Sequence, residues 1–135
     1  DAMGSYVVSQ LVKAMMKRRI QVQGSRVLVM GLTFKENCPD LRNTRVTDVI
    51  EELQSFNVNV DVYDPWVDPQ ESAHEYGLTP VSELRDGAYE AVILAVAHRQ
   101  FAEMGAQKIR SLCKEEGVLY DVKHLLPAGS VDGRL

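Results

Sequence analysis

Residues 31–46 read GLTFKENCPDLRNTRV, an apolar run that leaves through a glycine and at once presents Lys35, Glu36, Asp40, Arg42 and Arg45. These residue types suit one kind of chemistry. Lys35 is a point charge matched to a phosphate, and Arg42 is a planar fork that can grip one bidentately. Phe34 offers a flat face to a base or to a neighbouring chain. Gly31 lets the chain turn sharply or lets a ligand approach the backbone. Arg42 also stands just ahead of an expected helix start, whose N–H groups favour anions. Lys123, directly after the last expected strand, would bring a third positive charge to the same edge. The ligand these groups imply is anionic and phosphate-bearing. The same spacing also fits a solvated face whose Lys and Arg make surface ion pairs of little energetic value.

Other polar residues have plainer readings. Asp40 is placed to cap a turn, and Asp64, before Pro65, is a standard turn opening. Trp66, between two prolines, packs its loop onto the domain, and His98 is a lone loop histidine with no assigned role. No G-x-G-x-x-G follows a strand, and there is no P-loop, no H-E-x-x-H and no histidine-activated nucleophile. Cys38 and Cys113 are too few and too far apart for a disulfide framework or zinc site, and read as free thiols of a cytoplasmic protein. Nothing in the chain, read alone, performs a reaction.

The elements that must position the loop follow from periodicity. Residues 3–18 read as a helix with Val7, Leu11, Ala14 and Met15 at helical spacing. Val8, Val12 and Met16 widen its apolar surface, and a helix apolar on most sides wants partners on most sides. Strands are expected at 26–31, 58–65, 90–97 and 117–122. Helices are expected at 43–56, capped by Asn43 or Thr44, at 70–77, closed by Gly77, and within 101–113. TPVSEL (79–84) reads as an extended piece with a capped helical turn, and the tail from Lys123 as loop. Strands alternating with helices at these spacings predict an α/β fold, a small doubly wound parallel sheet with helices on both faces and a helix ahead of it. Ligands of such sheets sit beyond the carboxyl ends of the strands, where strand order reverses.

The totals exclude several classes. A length of 135 residues suits one domain, and 45% hydrophobic with 25% charged residues is ordinary globular composition. A formal net charge of −4 argues against a general nucleic-acid or membrane-surface binder. No apolar run approaches the ~20 residues of a membrane helix.

VLVMGLTFKENCPDLRNTRV, VDVYDPWVD, AVAHRQF, LYDVK and a closing DGRL, in that order, resemble the C-terminal domain of the UDP-glucose/GDP-mannose dehydrogenase family. The most specific part is Gly31 to Lys35 followed by D-x-R-x-T at 40–44. FKENCPDLRN and AVAH are most similar to the branch oxidising UDP-N-acetylhexosamines, ahead of the UDP-glucose branch. The resemblance implies an enzyme with an N-terminal NAD-binding domain, a central dimerising helix and this UDP-binding domain. Such an enzyme oxidises the sugar C6 hydroxyl to a carboxylate in two hydride transfers, with two NAD+ and a nucleophilic cysteine that lies outside this chain, so the chain alone is expected to be inactive.

By the same resemblance, residues 1–22 are the end of the inter-domain helix and 23–135 the UDP-sugar-binding domain. Thr33, Phe34, Lys35 and Lys123 correspond to substrate-binding positions, and Arg42 to an arginine that reaches the NAD side. Lys123 stands where the UDP-glucose enzymes carry arginine, which keeps the charge and loses the fork. The implied setting is cytoplasmic, with a UDP-sugar, the N-terminal domain and a second copy as partners, in surface polysaccharide biosynthesis such as capsule or O-antigen. Alternatives are the same role with UDP-glucose or GDP-mannose, and a non-catalytic nucleotide-binding or signalling α/β module.

Overall fold

Residues Val27 to Met30 send their side chains alternately to two apolar layers, and the rest of the molecule is arranged around that division. The computed structural model describes residues 2–135. Among these, five parallel strands run β1 (Arg26–Met30), β2 (Asn59–Tyr63), β3 (Tyr89–Leu94), β4 (Cys113–Asp121) and β5 (Gly133–Arg134). They stand in the order β2-β1-β3-β4-β5, in register from Val27 against Val60 and Ala91. The helices are α1 (Ala2–Lys17), α2 (Val46–Ser55), α3 (Pro69–Tyr76) and α4 (Arg99–Arg110).

Val27, Val29, Ile93, Val118 and Tyr120 face one side, where α1 brings Val7, Val8, Leu11 and Met15 and α2 brings Val49, Ile50 and Leu53. Leu28, Met30, Val92, Leu94 and Leu119 face the other, under Phe101 and Ile109 of α4. A parallel sheet covered on both faces needs strands apolar on both faces, and β1 and β3 are built that way. The wide apolar surface of α1 is largely used on this core, although Tyr6 and Met16 remain 52% and 64% exposed.

Several ends shift by one to three residues, β3 stopping at Leu94 and α4 at Arg110, and four differences have a visible physical setting. α2 starts at Val46, where Thr44 Oγ1 accepts the Val46 N–H at 3.2 Å, and Asn43 takes a left-handed φ of 61° outside the helix. The segment after α3 forms no helical turn, because one isolated turn closes too few hydrogen bonds to persist. The N–H of Val81 instead donates to the Val62 carbonyl at 2.8 Å, extending the β2 edge. β4 begins four residues early, its register slipping between Tyr89 and Ala91. The tail is not loop throughout: a 3-10 turn at Ala128–Ser130 leads to β5, which pairs with Tyr120 and Asp121.

Strand order reverses between β1 and β3, and there the two chains nearly touch. Gly31 has a φ of 102°, and a Cβ on it would lie 2.5 Å from Val96 Cβ. Only glycine fits at that contact, which opens the loop 31–45.

Candidate functional site

At the carboxyl ends of β1, β2 and β3 three chain segments are joined by one buried carboxylate. Asp64, with no exposed side-chain surface, accepts four hydrogen bonds. Leu32 N–H and Thr33 N–H donate to Oδ2 at 2.7 and 3.1 Å, Trp66 N–H donates to Oδ1 at 2.7 Å, and His98 Nε2 lies 2.9 Å from Oδ2. Burial by itself would raise the carboxyl. The bonds from His98, Leu32 and Trp66 outweigh it and hold Asp64 below its ordinary value of 3.8.

His98 is equally buried, stacked edge-on to Phe101 at 5.4 Å with Trp66 beside it at 6.2 Å. Its Nδ1 accepts the Asn37 N–H at 3.0 Å, and Nε2 lies 3.2 Å from Thr33 Oγ1. Thr33 Oγ1 donates to the Lys35 carbonyl at 3.0 Å, and Asn37 Oδ1 accepts the Arg99 N–H at 2.8 Å, capping the first turn of α4. Further along, Phe34 N–H donates to the Asp40 carbonyl and Thr44 Oγ1 to the Leu32 carbonyl, at 2.8 and 2.6 Å. The loop is therefore held along its length while it presents Phe34, 51% exposed, and Lys35 to solvent.

A cavity of about 100 Å³ lies beside it, lined by Thr33, Phe34, Thr44, Arg45, Val122 and Lys123 among others. Three of the residues singled out in the sequence, Thr33, Phe34 and Lys123, thus meet around one hollow, with Lys35 next in the chain. Arg42 does not join them. It borders a separate groove with Leu41, Asn43, Glu71, Glu75 and Tyr76. Its guanidinium is engaged by the Asp40 carboxylate, with Nε and Nη2 each at 3.1 Å. Those bonds hold the Asp40 carboxyl below the usual range, and Asp40 also accepts the Arg42 N–H, the turn-capping role expected of it. Trp66 is tied down by Gln100, at 2.9 Å from Nε1, and by the Arg99 guanidinium 5.0 Å above its ring.

A hollow of about 100 Å³ is smaller than the roughly 300–1,000 Å³ of pockets that enclose a ligand alone. It has the size of one wall of a site. A wider depression of about 510 Å³ opens at the far end of the strands, beside Ser25, Glu90 and Lys114, but the Lys114 ammonium is paired with Glu90. The turn after β1 does not fit a dinucleotide, because the N–H groups of Leu32 and Thr33 point at Asp64 and no helix begins before Val46. Among the described residues no cluster of three His, Cys, Asp or Glu side chains could hold a metal ion, and no helix is long and apolar enough to cross a membrane.

Asp64, His98 and Asn37 carry the site's architecture and were not assigned it from sequence. The usable signal was position: Asp64 directly follows a strand, and His98 ends a stretch begun by the most apolar one.

Residues 28–128 match the profile of the UDP-glucose/GDP-mannose dehydrogenase family, UDP binding domain. Over all 135 residues the chain is 62% identical to a UDP-N-acetyl-D-glucosamine 6-dehydrogenase of Pseudomonas aeruginosa and 54% identical to one of Salmonella typhi, spanning 32% of the length of each. In fold it resembles an NDP-N-acetyl-D-galactosaminuronic acid dehydrogenase of Methanosarcina mazei Go1, with a TM-score of 0.82 at 19% identity over 95% of this chain and 26% of that one. A UDP-D-ManNAc dehydrogenase of Pyrococcus horikoshii gives a TM-score of 0.78 at 20% identity over 98% of this chain and 30% of that one. At those identities the structural likeness speaks for the fold alone.

Proposed function

The chain belongs to the UDP-glucose/GDP-mannose dehydrogenase family, whose UDP-binding domain its residues 28–128 match, and from that premise we propose that it is the nucleotide-holding part of a UDP-N-acetylhexosamine 6-dehydrogenase. The observation that carries this is the meeting of Thr33, Phe34 and Lys123 around one shallow wall at the strand-order reversal, with Lys35 presented beside it. In this reading residues 1–22 lead in from the rest of the enzyme and residues 23–135 form the UDP-sugar-binding unit. Lys35 and Lys123 balance the diphosphate charge, and the half-exposed face of Phe34 covers the nucleotide.

The chain's own contribution to catalysis is then positional. Binding energy from the remote nucleotide places the sugar C6 at the reacting centre held by the rest of the enzyme. NAD belongs to that other part, and Arg42, exposed on its own groove, is the residue of this chain that reaches toward it. Closure of the two parts excludes water from the reacting centre. The complete enzyme is proposed to be a cytoplasmic homodimer serving surface polysaccharide synthesis.

The test is a chimera in which this chain replaces the matching third of the Pseudomonas aeruginosa enzyme. NAD+ reduction with UDP-N-acetyl-D-glucosamine that exceeds the rate with UDP-glucose and GDP-mannose is expected. A folded chimera that prefers GDP-mannose would overturn the reading.

A further inference from the structure

We infer that His98 is a positioning residue for the nucleotide-holding loop, acting as a neutral imidazole with its proton on Nε2; the inference rests on the function proposed above. A backbone N–H can only donate, so the Asn37 N–H at 3.0 Å requires a bare Nδ1. The ring proton is then on Nε2, where Asp64 Oδ2 accepts it at 2.9 Å and Thr33 Oγ1 shares it at 3.2 Å. Thr33 keeps its own proton for the Lys35 carbonyl, 3.0 Å away. One tautomer therefore gives every donor in the cluster an acceptor. The other would set N–H against N–H at Asn37, and so would a doubly protonated ring.

The cluster also fixes where the ligand-facing side chains stand. Residues 31–45 form a long excursion without helix or strand, and chain of that kind needs external fixing to present side chains in one place. His98 supplies it from a different strand end. Through Thr33 it holds the Lys35 carbonyl, and through Asn37 it holds the far side of the same turn. Asn37 passes the restraint on to the start of α4. Phe34 and Lys35, the residues offered to the nucleotide, lie between the two points of attachment. The ring itself is fully buried against Phe101 and beside Trp66. No ligand atom needs to touch it.

Two substitutions and one spectrum test this on the chain as it stands. Long-range 15N–1H spectra at neutral pH should show His98 with the Nε2–H pattern; an Nδ1–H or doubly protonated pattern overturns the assignment. His98→Gln keeps an acceptor for Asn37 and a donor for Asp64, whereas His98→Leu keeps only bulk. The Leu variant should lose hydrogen-exchange protection at residues 33–37 while β1, β3 and β4 stay protected, and should bind UDP about tenfold or more weakly. The Gln variant should recover protection and most of the UDP affinity. Wild-type protection and UDP affinity in a folded Leu variant would overturn the inference. If the Leu variant does not fold, a folded Gln variant lacking protection at 33–37 does the same. Where the wild type alone binds no UDP, as one wall of a site can, the tautomer and the protection of 33–37 decide the role of His98.

Discussion

Gly31 and Val96 stand so close that a single added carbon on Gly31 would come within 2.5 Å of Val96 Cβ. The contact lies where strand order reverses and sets the direction in which the loop 31–45 departs. Gly31→Ala adds both the clash and a side chain at a φ of 102°, so a loss of about 2–4 kcal/mol is expected. Thermal unfolding of the variant should fall by roughly 5–15 °C. An unchanged midpoint would mean that the two strand ends can separate freely.

A second prediction concerns the DGRL tail. Asp132 accepts hydrogen bonds from Arg110 at 2.7 Å, from the Leu119 N–H at 2.8 Å and from Arg18, which tie the tail to β4 and to the ends of α1 and α4. Asp132→Asn removes the charge from this meeting point and should cost about 2 kcal/mol in chemical denaturation. A cost near zero would show the tail to be an ornament on the sheet.

The acid side follows from the same groups. Partial burial works to raise the Asp132 carboxyl, but the Arg110 and Leu119 bonds prevail, so Asp132 and Asp64 both sit below their unfolded values. Their contribution is complete above the unfolded value of about 3.9 and is lost as pH falls through the lowered folded values. The drop in the unfolding midpoint below about pH 4 should therefore be shallower in Asp132→Asn than in the wild type. An equally steep drop in the variant would contradict this.

Thiol chemistry separates the two cysteines. Burial pushes the Cys113 thiol up to about 11, and its Sγ faces the Val118 carbonyl, whereas Cys38 lies partly exposed on the loop 31–45. Iodoacetamide at pH 8 should label Cys38 and leave Cys113 unmodified in the folded chain, read by peptide mass spectrometry. Equal labelling would mean the β4 entrance opens readily.

The strands and helices were legible because each carries its period locally: β1 and β3 are apolar on both faces, and α2 repeats Val46, Val49, Ile50 and Leu53 on one. β5 was not, since two residues have no period, and their place depends on Asp132 meeting Arg18 and Arg110 from distant elements. That the loop would present Phe34 and Lys35 to solvent at the carboxyl end of the sheet could be read from residue type and from position beyond a strand. The Asp64–His98 pair could not, because an aspartate before proline is a turn signal in most chains, and its partner lies 34 positions away. The pairing of Arg42 with its neighbour Asp40 could not be read from residue type either.

The most direct measurement is an amide-shift titration of this chain with UDP, with GDP and NAD+ as controls, repeated on Lys123→Met. The account predicts shifts confined to residues 31–45 and 117–124 with UDP alone, weakened about tenfold in the variant by loss of one charge-assisted bond. Equal shifts from NAD+ in the same residues, or shifts from UDP that fall instead around Ser25, Glu90 and Lys114, would contradict it.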